Sequence, residues 1–256
     1  MEKLEFDKVV QLARSYCRGE LGAEAIANAP IYADVERVQA RLIEVEQMHK
    51  TYAEGHHFPL SAYIDLGGEY QRLRIEGYVL TLEAVQAMRL QLVNVQQIFQ
   101  FFGYGKKRDI ISLYPQLYGK IERIDFAEIL LIAVQKIMDE EGNMRPDASP
   151  ELLRLSRLRN SKQQELDKRF RSTAQAYLAK GYLADIVEST RNGRRVLAVL
   201  AEYKRQVKGI LHDESATGRT AFIEPEEVMD INNELFNIDL EEKREIYRIL
   251  RELSAL

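Results

Sequence analysis

Residues 189–225 read STRNGRRVLAVLAEYKRQVKGILHDESATGRTAFIEP, and here a mostly helical sequence turns into strands. Asn192-Gly193 is the strongest short hairpin signal, because both residues tolerate the positive φ of a type I′ turn. Val196 to Leu200 follow as a short apolar run rich in β-formers. Val207 to Leu211 is the next strand candidate, and Ser215-Ala216-Thr217-Gly218 turns the chain. Thr220 to Ile223 returns as a strand, and Pro225 closes it. The pattern predicts a small antiparallel sheet of about four strands, set between two long helices.

The flanking segments carry the helix signals. Ser149-Pro150 supplies a cap residue and a proline at the first helical position. From there a helix can run to about Lys180, where Gly181 stops it, a length of ~45 Å at the standard rise. Its apolar stripe is sparse (Leu152, Leu155, Leu166, Phe170, Tyr177), so it is not buried all round and reads as an arm. Glu224 to Ser254 makes a comparable helix, with Ile231, Leu235, Ile238, Ile246, Ile249 and Leu253 at three- and four-residue steps. With the sheet between the end of one helix and the start of the other, the two should run antiparallel. Charge agrees: residues 151–180 hold eight Lys or Arg against three acids, and residues 225–256 hold four against nine.

Upstream the sequence reads as helices and turns. Phe6, Val9, Val10, Ala13 and Cys17 mark one apolar face, and Val38, Leu42, Val45 and Tyr52 mark another from a cap at Asp34. Thr81 caps a long helix through Phe102. The FQFF cluster at its end suggests a pocket, although aromatics at a helix end usually belong to a core. Ile121 to Met138 reads as a further apolar helix. Gly103-Tyr104-Gly105-Lys106-Lys107 lacks the GxxxxGK[ST] spacing of a phosphate loop. Asp139-Glu140-Glu141-Gly142-Asn143 lacks the alternating ligands of a calcium loop and reads as a solvated turn. His56-His57 has no HExxH or cysteine partner, so a metal site is not expected.

The 256 residues are 46% hydrophobic and 30% charged, a globular balance with length enough for one large domain or two smaller ones. No apolar run approaches a membrane span, and the acidic, amphipathic N-terminus is not a secretory signal. The single cysteine, Cys17, excludes an intramolecular disulfide framework and fits a reducing cytoplasm.

A net charge of −4 argues against a general nucleic-acid binder, but the charge is unevenly spread. Residues 151–224 hold fifteen basic and nine acidic groups, or +6, which leaves −10 for the remainder. Arg191, Arg194 and Arg195 cluster at the Asn-Gly turn, and Lys204, Arg205 and Lys208 cluster at the next connection. Basic groups at turns can hold phosphates without reading bases. These six are the candidate nucleic-acid contacts, and an ordinary solvated surface is the equal alternative on charge alone. His212, Asp213 and Ser215 are close in sequence, yet neighbouring strand residues point to opposite faces and do not stack as a triad. No catalytic or metal constellation emerges, and no cofactor is expected to bind this chain.

The run GILHDESATGRTAFIEPEEVMDINNEL (209–235) closely resembles the bacterial MutS paralogue branch, which has MutS-like core and ATPase parts but no mismatch-recognition domain. The resemblance extends through DEEGNMRPDASPELLRLSRLR (139–159), EEKREIYRILRELS (241–254) and, more weakly, LEFDKVVQLARSYCRGELG (4–22). Two departures are Thr217, where the family more often has serine, and RRVLAVLAEYK, which lacks the family's proline. The resemblance implies a mainly α fold with a small antiparallel β insert. It divides the chain into a helical core (1–148), a first lever helix (149–181), a β clamp (182–224) and a returning lever helix (225–256). It also implies a chain ending before the ATPase domain of a cytoplasmic, homodimeric parent with a C-terminal nuclease domain, where ATP and magnesium would bind. DNA recombination intermediates or the stalled ribosome, with its ribosomal RNA, are the implied targets. The alternative is a purely structural module that positions the ATPase halves.

Overall fold

A computed structural model describes residues 5–256, so the first four residues of the predicted helical core lie outside it. The chain forms two compact units. The first comprises residues up to Arg145 together with Leu250–Leu256, and the second is Pro146–Ile249.

The first unit is built from α1 (Phe6–Ser15), α2 (Glu20–Ala27), α3 (Val35–Ala53), α4 (Gly67–Arg72), α5 (Leu82–Phe101), α6 (Arg108–Leu113), α7 (Pro115–Gly119) and α8 (Glu128–Ile137). Two of its helices start where side chains satisfy otherwise unpaired amides: Asp34 accepts from the amide of Glu36, and Thr81 from that of Ala84. Phe102, Tyr114 and Leu117 centre an aromatic core, with Phe58, Phe101 and Tyr118 packed against it. The stripes on α1 and α3 are largely uncovered, with Phe6, Val9, Leu42 and Val45 all exposed. Cys17 is half-buried, and its thiol donates to the Ala13 carbonyl at 3.6 Å.

One helix expectation fails here. Ile121 to Met138 is not continuous: residues 121–127 form a turn and an extended piece, and helix begins only at Glu128. The local backbone bonds are those of turns: the amide of Ile124 donates to the Ile121 carbonyl at 2.9 Å, and that of Glu128 to the Phe126 carbonyl at 2.8 Å. Ile121 packs on the aromatic core and Phe126 on Phe99. The acidic stretch after α8 is a tight turn, in which Asp139 accepts from the amide of Asn143 at 2.8 Å.

The second unit holds α9 (Pro150–Leu178), β1 (Leu183–Arg191), β2 (Arg194–Leu200), β3 (Gly209–Glu214), β4 (Thr220–Pro225) and most of α10 (Glu226–Ser254). The sheet is antiparallel throughout, in the order β1-β2-β4-β3. The chain is therefore mainly α with a small antiparallel β insert. Asn192 and Gly193 take φ of 51° and 74°, as the hairpin requires. The strand expected from Val207 starts two residues later, at Gly209, because Val207 drops into the core instead. Gly209 has a φ of 154°, and a Cβ there would meet the Glu224 carbonyl oxygen at 2.0 Å. Only glycine lets the two backbones approach so closely.

Leu166, Phe170 and Ala174 of α9, Val228 and Ile231 of α10, and Leu197, Val199, Ala221 and Ile223 of the sheet share one core. Burying each large side chain contributes roughly 1.5–3 kcal/mol. All five stripe residues predicted on α9 are buried. The two long helices are tied by Ser149 to Glu245 (2.6 Å), Arg154 to Glu241 (3.4 Å), Arg159 to Glu242 (2.6 Å) and Lys162 to Glu234 (2.5 Å). From Ser149 to Lys162 along α9, the partners run from Glu245 back to Glu234 along α10, so the pair is antiparallel. Each exposed ion pair contributes less than about 1 kcal/mol, so the ladder sets register more than stability.

Candidate nucleic-acid interface

The six basic side chains nominated for phosphate contact stand in two different states. At the β1–β2 hairpin, all three arginines are engaged by the chain itself. Arg191 donates to Asp213 (3.0 Å) and lies 3.7 Å from the centre of the Phe222 ring. Arg194 donates to Glu224 (2.7 Å) and to Asn233. Arg195 bonds Asp167 and Glu188 and stacks over Phe170 at 4.4 Å. Guanidinium groups held both by a carboxylate and an aromatic face are fixed in place.

Glu224 is the centre of this hairpin's support. It is fully buried, and it accepts from Arg194 Nη1 (2.7 Å) and Asn232 Nδ2 (2.8 Å), with His212 Nε2 at 2.7 Å. Burial would push its carboxyl up, yet the hydrogen bonds from Asn232, His212 and Arg194 hold it below the ordinary carboxylate value. His212 reaches it because β3 bulges between Leu211 and Asp213, opposite Ile223 and Phe222. A bulge of this kind re-aims one side chain. The three polar residues of the HDES stretch thus separate: His212 to Glu224, Asp213 to Arg191, and Ser215 to the amide of Thr220. No triad forms. Glu224 itself carried one sequence signal, a single charge inside the apolar run AFIEP.

The β2–β3 connection is different. Lys204 pairs with Glu214 at 2.7 Å, but Arg205 and Lys208 are exposed and make no ion pair among the described residues. The connection is pinned by Val207 in the core and by Tyr203, which stacks on Tyr182 with ring centres 4.7 Å apart. Two further cations that the sequence left unnoticed stand close by. Lys180 Nζ lies over the Tyr177 ring at 5.2 Å and the Tyr182 ring at 6.0 Å. Arg219 is exposed, and its carbonyl accepts from the amide of Ala201. Glu202, Glu214 and Glu226 are interspersed, so the end of the sheet offers individual cations rather than an unbroken positive field.

A cleft of about 580 Å³ in this unit is lined by Arg159, Asp167, Glu188, Arg195 and Asp239. Its two arginines are paired with its three carboxylates across it, which leaves a formal excess of one negative charge. Among the described residues no group of three His, Cys, Asp or Glu is placed to hold a metal, and no helix is long and apolar enough to cross a membrane. Of the loop histidines, His56 Nδ1 lies 2.6 Å from the hydroxyl of buried Tyr114, and His57 packs edge-on against Tyr52.

Along its whole length, this helical chain with its four-stranded insert is similar in sequence to curated proteins named endonuclease MutS2. It is 31% identical to the endonuclease MutS2 of Symbiobacterium thermophilum over 256 residues, covering 100% of this chain and 31% of that protein. The endonuclease MutS2 of Streptococcus equi subsp. equi is 32% identical over 256 residues, covering 99% of this chain and 32% of its own length. That of Geobacillus thermodenitrificans is 30% identical over 258 residues, covering 98% and 32%. The chain thus spans about a third of the length of these relatives. No family model matches it.

Proposed function

We propose that Pro146–Ile249 is the lever-and-clamp part of a MutS-like ATPase and grips nucleic acid through its phosphate backbone. The observation that carries this reading is the β2–β3 connection, where Arg205 and Lys208 stand exposed and unpaired among the described residues. Lys204 joins them by exchanging Glu214 for a phosphate. Arg191, Arg194 and Arg195 contribute chiefly by holding the hairpin, since their carboxylate partners must be displaced before they meet a phosphate. The chain itself performs no chemistry in this reading. ATP, magnesium, homodimer contacts and nuclease activity belong to other parts of a cytoplasmic parent that acts on branched DNA or on ribosomal RNA in stalled ribosomes.

Affinity for a four-way DNA junction and for a structured RNA hairpin, measured by fluorescence anisotropy, tests the assignment. Arg205→Gln/Lys208→Gln should weaken both to a similar degree, whatever the base sequence, because backbone contacts carry no sequence information. Unchanged affinity would refute it. A second reading has its own support: a structural module whose arms position the ATPase halves. Four of the six nominated cations already serve the fold by pairing with acids of this chain.

A further inference from the structure

The FQFF cluster at the end of α5 divides between two environments. Phe101 and Phe102 join the aromatic core, but Phe99 faces a separate cleft of about 260 Å³ with Tyr104 and Phe126. The ring centres stand 6.1 Å (Phe99–Tyr104), 5.6 Å (Phe99–Phe126) and 6.5 Å (Tyr104–Phe126) apart, tilted by 35°, 34° and 51°. A point above such a triangle lies within about 6 Å of all three centres, the distance over which a cation standing over a ring face is attracted. Tyr104 is brought there by a turn with positive φ at Gly103, Tyr104 and Gly105, in which its amide donates to the Phe99 carbonyl at 2.8 Å.

Three carboxylates, Glu122, Asp125 and Glu128, line the same cleft, and none has an ion-pair partner among the described residues. Among the described residues, the cations that lie over aromatic rings, Lys180, Arg191 and Arg195, belong to the other unit. Aromatic rings together with carboxylates that form no ion pair favour a cation. The size narrows the choice further, since about 260 Å³ lies below the usual ~300–1,000 Å³ of a small-molecule site. Three acids spaced three residues apart exceed the need of a single ammonium ion and match a run of basic side chains. Ile124, also lining the cleft and 53% exposed, offers apolar contact to the stem or backbone of such a run.

We propose that this cleft binds the cationic side chain of an arginine- or lysine-rich polypeptide segment, with one guanidinium or ammonium seated on Phe99, Tyr104 and Phe126 and its neighbours paired with the three carboxylates. The site lies in the first unit and owes nothing to the nucleic-acid reading of the second.

The test is anisotropy of a fluorescein-labelled, end-blocked hexapeptide of alternating alanine and arginine, titrated with the full chain. Saturable binding is expected, with no binding of the glutamine-for-arginine peptide. Tyr104→Leu should weaken it about three- to tenfold, the effect of losing one ring face. Neutralising the acids as Glu122→Gln/Asp125→Asn/Glu128→Gln should weaken it further. Circular dichroism establishes that each variant is folded, and the wild-type comparison of the two peptides stands without any variant. Equal binding of both peptides, unchanged affinity of Tyr104→Leu, or absence of saturable binding would each overturn the proposal. Displacement of the peptide by an equal concentration of tetramethylammonium chloride would also overturn it, by making the ligand a small ammonium ion.

Discussion

Replacing Glu224 with alanine removes the acceptor shared by His212, Arg194 and Asn232 at a fully buried position. Breaking a buried pair costs about 3–5 kcal/mol, because the surviving charge stays out of water. Urea denaturation of Glu224→Ala should show a loss of that order, and a loss below about 1 kcal/mol would mean the network is idle. Gly209→Ala should also destabilise by more than about 1 kcal/mol, since its φ and the Glu224 carbonyl both exclude a Cβ. Glu245 supplies a pH signature. Hydrogen bonds from Arg248, opposed by burial and aided by Ser149, hold its carboxyl at about 2 instead of 4.5. A depressed folded-state value stabilises fully above pH 4.5 and ceases to do so as pH falls toward 2. Stability of the wild type should therefore decline across that window, and Glu245→Gln should decline less. At this scale the sequence showed which groups were basic but not what they touched. Arg195 and Asp167 are 28 residues apart, and Arg194 and Glu224 are 30 apart, with nothing local to connect them.

Among the elements, the ends were more legible than the interiors. Ser149, Thr81, Asp34 and Asn192-Gly193 act within a few residues of themselves, so their roles follow from local chemistry. Ser149 does more than its pattern reveals. It caps α9 by accepting from the amide of Leu152, and it donates across to Glu245 on α10. Ser149→Ala should lose about 1 kcal/mol for the cap, plus the cross-helix bond, visible as a lowered Tm. Equal melting of variant and wild type would count against both bonds. What local reading missed were the segments governed by distant packing. Val207 leaves its strand for the core, and residues 121–127 form turns between Ile121 on the aromatic core and Phe126 on Phe99. The apolar faces of α1 and α3 show the same limit in reverse: a helical period marks a stripe but not whether anything covers it.

In the whole molecule, charge separates along the chain, with a positive segment at 151–224 inside a chain of net charge −4. That asymmetry was legible and nominated a region for the proposed interface, but the pairing of α9 with α10 uses Arg154, Arg159 and Lys162 internally. Among the described residues, the cations of this segment without an ion pair are Arg157, Lys168, Arg169, Arg171 and Lys180 on and just after α9, with Arg205, Lys208 and Arg219 at the end of the sheet. The 256-residue chain, with no Gly-rich phosphate loop in its sequence, is expected to show no saturable ATP binding by calorimetry. Heat consistent with one site would contradict this. Phosphate gripping is tested most directly by the salt dependence of binding to a DNA junction. Each phosphate contact contributes about 0.9 to the slope of log affinity against log salt. The wild type should therefore lose affinity steeply with salt, and Arg205→Gln/Lys208→Gln should show a slope shallower by about two. Identical slopes, or a wild-type affinity that ignores salt, would contradict backbone gripping and leave the paired helices and their sheet as a structural module.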